Sequence, residues 1–112
     1  MTTVQNHLEG VTGATFAERV LGAAGPVLVE FTAAWCPPCR ALAPVLVDLA
    51  REQAGRLAIV ALDVDRDPEV AARYGVMSFP TLILFRDGQP VQQLIGARPK
   101  AALLRALAPS LA

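Results

Sequence analysis

One apolar run near the start of the chain sets the strongest limit on its fold. The run Val27-Leu28-Val29-Glu30-Phe31-Thr32 is continuous and largely β-branched or aromatic, which is typical of a central strand covered on both faces of a sheet. The chain has 112 residues, the usual size of one domain. We therefore predict a single domain, residues 1–112, built around this strand.

The rest of the sequence alternates between the periods of strands and helices. Further strands are predicted at Val4–Leu8, Leu57–Val64, Thr81–Phe85 and Val91–Ile95, and helices at Ala14–Leu21, Pro37–Ala54, Asp67–Gly75 and from Pro99 onward. Thr12 is the predicted cap of the first helix, and Pro44 should kink the second. Asp87-Gly88 should turn the last two strands into an antiparallel edge pair. The expected fold class is α/β, a central sheet flanked by helices.

Composition excludes several functions. The chain is 54% hydrophobic and 18% charged, and ten basic residues balance ten acidic ones without a Lys/Arg cluster. Nucleic acid and anionic lipid are therefore not the expected partners. Met1–Gly10 lacks the features of a secretory signal, and the longest apolar runs, Leu57–Leu62 and Thr81–Phe85, cannot span a membrane. We expect a soluble, cytoplasmic protein.

The two cysteines carry the functional signal. The segment Trp35-Cys36-Pro37-Pro38-Cys39 lies where the predicted central strand passes into an amphipathic helix, which puts Cys36 at or next to the helix N-cap. The partial positive charge and free N–H groups of a helix N-terminus stabilise a thiolate, the nucleophilic form of cysteine. Cys39 lies on the first turn, faces nearly the same way and can attack a mixed disulfide formed at Cys36. The spacing favours a redox cycle.

Three other roles for the cysteines remain possible on the residues alone. A zinc site needs four ligands, whereas the chain offers two cysteines and a distant His7. A structural disulfide that closes so short a loop contributes only about 2 kcal/mol in the chain-entropy model. Inert core cysteines are common singly, but not at this spacing between Trp35 and a pair of prolines. We favour the redox interpretation over these three.

The residues around the cysteines resemble the thioredoxin family. The segment Phe31–Arg40, followed by Pro44, is similar to the active-site segment of thioredoxins, and Val64–Pro68, Tyr74–Val76, Phe79–Leu82, Phe85–Gly88 and Ile95–Ala97 match later family segments in order and spacing. The resemblance covers nearly the whole chain. It implies the thioredoxin fold, with a mixed sheet, and the activity of a protein-disulfide oxidoreductase working in the reducing direction.

The resemblance also implies roles for single residues. Pro80 would follow a cis peptide bond beside the cysteines, and the backbone of the preceding Phe79 would hydrogen-bond an extended client. The surface where clients dock would comprise Trp35, Pro37, Pro38, Val76, Phe79 and Gly96. Core packing is an equally good explanation for Val76 and Phe79.

Three positions depart from the family pattern. Glu30 stands where thioredoxins have a shorter buried aspartate that exchanges a proton with the second cysteine, and burial should raise the pKa of its carboxyl. A strand-end carboxylate that reaches solvent is the alternative. Ala61 stands where many thioredoxins place a lysine near that acid. Pro37 replaces a glycine and removes an N–H donor from the Cys36 thiolate, which favours the disulfide and hence a reducing protein.

The reaction expected from the resemblance therefore needs no bound cofactor and no metal. Cys36 would attack a client disulfide, Cys39 would resolve it, and Glu30 would assist proton transfer. A thioredoxin reductase would restore the dithiol with electrons from NADPH, and the protein would act as a monomer. Two rivals remain open at this stage: a dedicated redox partner of one client, and a thioredoxin-fold binding module without redox turnover.

Overall fold

A mixed sheet forms the centre of the molecule. The computed structural model describes residues 3–4 and 8–111. Within them the strands are β1 Thr3–Val4, β2 Leu8–Val11, β3 Val27–Thr32, β4 Ala58–Asp63, β5 Thr81–Arg86 and β6 Gln89–Ile95. These six strands are ordered β1-β2-β4-β3-β5-β6. The predicted central strand is β3, and each of its residues is buried.

Strand β3 has a different kind of neighbour on each side. It runs parallel to β4 and antiparallel to β5, and Glu30 pairs with Ala61 on one side and with Leu82 on the other. Strands β5 and β6 form the predicted hairpin, whose turn residues Asp87 and Gly88 both have positive φ, as a tight hairpin turn requires. Glu30 therefore lies in the middle of the sheet.

Helices cover both faces of the sheet. Helices α1 (Pro37–Glu52) and α3 (Lys100–Leu111) pack leucines against one face, and α2 (Pro68–Arg73) with the π-helical segment Ala17–Leu21 covers the other. Pro44 lies inside α1 without ending it. None of the helices in the described part of the chain is long and apolar enough to cross a membrane.

The first predicted strand, Val4–Leu8, is wrong in position. The structure has a two-residue strand at Thr3–Val4 that pairs antiparallel with β2, and residues 5–7 lie outside the described part. In β2 the apolar residues Leu8 and Val11 belong to opposite core clusters and flank Glu9 and Gly10. Each face therefore carries only one apolar residue, which leaves no alternation for a sequence to reveal.

The first predicted helix is also different. Instead of an α-helix at Ala14–Leu21, the chain makes a π-helical segment at Ala17–Leu21, in which Gly22 N–H donates to the Ala17 carbonyl at 2.8 Å. Thr12 is not the cap residue of this segment, which follows Phe16, and the Thr12 N–H instead donates to Thr15 Oγ1 at 2.9 Å. Such local hydrogen bonds of threonine compete with the start of a helix.

Candidate active site

Cys36 caps helix α1, as the sequence predicts. It has an extended backbone with φ −94° and ψ 107°, and its Sγ accepts a hydrogen bond from Cys39 N–H at 3.3 Å. Pro37 and Pro38 occupy the first two helical positions, where the missing N–H groups would have no partner within the helix. Cys39 therefore supplies the first backbone donor that can reach Cys36 Sγ.

The two cysteines form a disulfide with their Cα atoms 5.2 Å apart. Both side chains are almost completely buried, Cys36 to 3% exposure and Cys39 to 2%. Their surroundings differ nonetheless. Cys36 Sγ lies 3.6 Å from the carbonyl oxygen of Phe79, whereas Cys39 lines a cavity that Glu30 also lines. Burial alone does not distinguish the two sulfurs, but their neighbours do.

Exposed apolar side chains lie in the two segments that meet at Cys36: one precedes Cys36 in sequence, and the other contains Phe79, whose carbonyl oxygen lies next to Cys36 Sγ. Trp35 is 60% exposed and Met77 is 91% exposed. The Trp35 ring meets the half-buried ring of Phe79 edge to face, with centroids 6.1 Å apart. We call Trp35, Met77 and Phe79 the apolar rim. Apolar groups this exposed beside a reactive pair are typical of a surface that a partner covers.

Glu30 lies on the opposite, inner side of the disulfide. It is 2% exposed, and its Oε2 atom has no hydrogen-bond partner among the described residues. Burial raises the pKa of its carboxyl from 4.5 to about 7. The predicted buried acid is therefore confirmed, and the alternative of a carboxylate that reaches solvent is wrong.

A cavity connects Glu30 with Cys39. It has a volume of about 80 Å³, and both residues line it together with Ala61 and Asp63. This volume admits a few water molecules, which need polar partners such as these carboxylates. Neither lysine nor arginine is found among the described residues that line it. Glu30 and Cys39 therefore face one cavity that is large enough for water and has no cationic side chain among its described lining residues.

Comparison with known proteins decides the family. The thioredoxin family model matches residues 7–109. A thioredoxin of Mycobacterium tuberculosis is 56% identical over 97 residues, covering 87% of this chain and 84% of that protein. A thioredoxin of Streptomyces clavuligerus is 50% identical over 98 residues, covering 88% and 91%. The chain belongs to the thioredoxin family. It is a thiol-disulfide oxidoreductase whose redox-active pair is Cys36 and Cys39.

A third relative differs in its organisation. The bifunctional thioredoxin reductase/thioredoxin of Mycobacterium leprae is 53% identical over 97 residues, which are 87% of this chain but only 21% of that protein. In that relative a thioredoxin-like segment and a reductase therefore share one polypeptide.

The docking residues implied by the family resemblance are brought together only in part. The peptide bond between Phe79 and Pro80 is cis, and Gly96 N–H donates to the Pro80 carbonyl at 2.9 Å, so both residues are joined to the segment whose Phe79 carbonyl lies next to Cys36 Sγ. Pro37 is exposed. Pro38 is exposed as well. Val76, by contrast, is buried in the core, so its side chain belongs to the packing alternative that the sequence left open.

Two residues near the disulfide were not singled out from the sequence. Asp65 accepts a hydrogen bond from Trp35 Nε1 at 2.7 Å, and its own N–H is held by Asp63 Oδ1 at 2.9 Å. Met77 was passed over although it lies between two segments that match the family. The available signal for both was position, since Asp65 follows strand β4 and Met77 precedes Phe79-Pro80.

The zinc alternative gains no support within the described ranges. They contain no group of three or more His, Cys, Asp or Glu side chains placed to hold a metal ion. His7, the third ligand that the sequence offered, lies outside the described residues.

Proposed function

We propose that this protein is a general protein-disulfide reductase in which Cys36 is the attacking thiol and Cys39 the resolving thiol. The observation that supports this assignment most directly is the position of Cys36 Sγ. It accepts the Cys39 N–H at the N-terminus of α1 and lies beside the Phe79 carbonyl at the apolar rim. A helix N-terminus favours the thiolate, and the rim gives a client access to it.

The proposed cycle transfers two electrons. The Cys36 thiolate attacks one sulfur of a client disulfide, which forms a Cys36–client disulfide and releases the other client sulfur as a thiolate. The Cys39 thiolate then attacks Cys36 Sγ, so that the Cys36–Cys39 disulfide forms and the second client sulfur leaves. The client gains two electrons and, from solvent or protein groups, two protons. The enzyme pair is left oxidised.

Glu30 serves as the proton acceptor for Cys39 in this proposal. The resolving thiol must lose its proton before it attacks, and Glu30 shares a cavity with Cys39. A carboxyl with a pKa of about 7 is half ionised at neutral pH, so it can take and return a proton with little cost. The cavity provides the path between the two side chains.

A client segment would dock across the apolar rim in an extended conformation. Trp35 and Phe79 offer apolar contact beside Cys36, and Pro37 and Pro38 form the exposed floor next to it. Pro80 and Gly96 hold the loop that carries the Phe79 carbonyl. Backbone contacts of this kind accept many client sequences, because they read the main chain of the peptide.

The electrons would come from NADPH through a thioredoxin reductase. The Mycobacterium leprae relative supports this partner, since it is a bifunctional thioredoxin reductase/thioredoxin. The reducing direction suits a cytoplasm, where thiols are kept reduced. One chain carries both cysteines and Glu30, so the proposal needs only a monomer.

The test is reduction of insulin by NADPH and a bacterial thioredoxin reductase in the presence of this protein. We expect NADPH oxidation and insulin precipitation with the native chain, and neither with the Cys36→Ser variant. Absence of turnover with the native chain, even when dithiothreitol replaces the reductase, would refute a general reductase. Insulin reduction that occurs with dithiothreitol but not with the bacterial reductase would refute that reductase as partner, but it would support the proposed reaction with clients.

A further inference from the structure

Met77 is the most exposed large apolar side chain in the described part of the chain. Its exposure of 91% exceeds that of Trp35, Val91 and Ile95, the other large apolar side chains exposed there. Full burial of a methionine side chain typically stabilises a protein by about 2 kcal/mol, and Met77 contributes almost none of this. Its exposure two residues before Phe79, whose carbonyl oxygen lies next to Cys36 Sγ, therefore points to a role outside folding stability.

The loop that carries Met77 is held at both ends. Val76 N–H donates to the Ala71 carbonyl at 2.9 Å, and Thr81 Oγ1 donates to the Ser78 carbonyl at 2.7 Å. Met77 is two residues before Phe79, so their Cα atoms are at most about 7.6 Å apart. The backbone that carries the thioether is thus held close to Phe79, so a client that lies along Phe79 comes within reach of this side chain.

The thioether is also the most accessible sulfur of the described residues. The only other sulfurs there are Cys36 and Cys39, which are buried and, in the oxidised protein, already bonded to each other. Hydrogen peroxide oxidises methionine to its sulfoxide: the O–O bond breaks, one oxygen bonds to sulfur and the other leaves as water. The thioether loses two electrons and the peroxide gains them, so the reaction needs no further reactant.

We propose that Met77 is a peroxide-sensitive contact for client proteins: its oxidation to the sulfoxide weakens docking on the apolar rim without changing the redox chemistry of the cysteine pair. This inference rests on the proposed function, because it concerns the clients of that reductase. The sulfoxide replaces an apolar, flexible group with a polar one, and a polar group on the rim must be desolvated when a client covers it. Smaller disulfides that do not cover the rim are unaffected.

The experiment treats the disulfide form of the protein with hydrogen peroxide and removes the peroxide with catalase. Mass spectrometry should find a gain of one oxygen in the tryptic peptide Tyr74–Arg86, which contains Met77 and excludes Met1. We expect the KM for insulin to rise about fivefold, while the rate with a small aromatic disulfide and the equilibrium with glutathione stay the same. The Met77→Leu variant, compared with itself before and after peroxide, should show no change.

Two results would overturn the proposal. One is a Tyr74–Arg86 peptide that stays unoxidised at a peroxide dose that oxidises free methionine. The other is an oxidised peptide with an unchanged KM for insulin. The KM of thioredoxin reductase for the protein is a second readout, since it depends on docking but on no client. If the untreated protein accepts electrons from the reductase but does not reduce insulin, the proposed function fails, and the effect of Met77 oxidation is then tested by the KM of the reductase alone. A protein that neither reduces insulin nor accepts electrons from the reductase would refute both the proposed function and the role of Met77.

Discussion

The outer and inner sides of the Cys36–Cys39 disulfide have different neighbouring groups. Outside, Cys36 Sγ lies next to the Phe79 carbonyl and the exposed ring of Trp35. Inside, Cys39 and the buried Glu30 line one cavity. The comparison teaches that the two sulfurs have different neighbours although only two residues separate them, and under the proposed function contact with a client and transfer of a proton would fall to different sulfurs.

Removal of the inner sulfur should have the largest effect. In the Cys39→Ser variant, Cys36 can still attack a client, but nothing resolves the mixed disulfide. We expect insulin turnover to fall to background and a covalent adduct with the client to accumulate, which non-reducing electrophoresis detects. An adduct that forms equally well in Cys36→Ser would break the distinction between the two sides.

Neutralising the inner carboxyl should have the next largest effect, first on stability. The pKa of Glu30 is raised from 4.5 to about 7, so the folded protein keeps a proton that the unfolded chain releases in this range. The free energy of unfolding therefore falls as pH rises from about 4.5 to 7, by about 3 kcal/mol in total. Glu30→Gln should remove this loss and be more stable than the native protein by about 3 kcal/mol at pH 8, measured by urea denaturation.

The control for Glu30 is the exposed Glu18→Gln, which should leave the pH dependence of stability unchanged. Asp63 is the other carboxylate that lines the cavity. The Asp63→Asn variant measures how much of the pH dependence of stability comes from Asp63. Glu30→Gln should also slow the resolving step by about 100-fold, the lower range for general acid–base catalysis. A Glu30→Gln variant that is neither more stable at high pH nor slower in the resolving step would contradict the proposed role of Glu30.

A smaller effect is expected on the outer side from Asp65→Asn. Asp65 holds the Trp35 indole at an exposed position, where one hydrogen bond contributes little, so kcat/KM for insulin should fall about threefold. Trp35 is the only tryptophan, so its single indole N–H signal in an NMR spectrum should shift in the variant. The matched exposed change Asp87→Asn, on the hairpin turn, should move neither quantity.

The smallest effect should come from Pro37→Gly. The new N–H at the first helical position adds a donor near the Cys36 thiolate, which stabilises the dithiol and makes the potential less reducing. Cys39 N–H already donates to Cys36 Sγ. We therefore expect the redox potential to shift by only about 10 mV, equivalent to about 0.5 kcal/mol, as measured by equilibration with glutathione. A shift in the reducing direction would contradict this account of the Pro-Pro spacer.

The local signals in the sequence were sufficient for most of the fold. The apolar run of β3, the Asp87-Gly88 turn and the amphipathic pattern of α1 each act within a few residues, and the structure confirms all three. The first strand and helix were misplaced because their form depends on tertiary packing and on a local pair, Thr12 with Thr15, which outweighs helix propensity.

The candidate site was predictable where its residues lie close together in sequence or match the family. The cap formed by Cys36 and the burial of Glu30 in an apolar strand belong to this group. The contact of Trp35 with Asp65 spans 30 positions and depends on how far β4 extends past β3, which no local pattern encodes. The burial of Val76 and the exposure of Met77 likewise depend on the course of one loop.

The order of the strands has a consequence for synthesis of the chain. Cys36 and Cys39 leave the ribosome about 40 residues before Phe79 and Pro80, which corresponds to several seconds at ordinary rates of translation. Strand β5, which closes the sheet on one side of β3, arrives only with these later residues. The nascent protein therefore presents two thiols without their finished surroundings, and during that interval the redox conditions of the compartment decide whether they pair with other thiols.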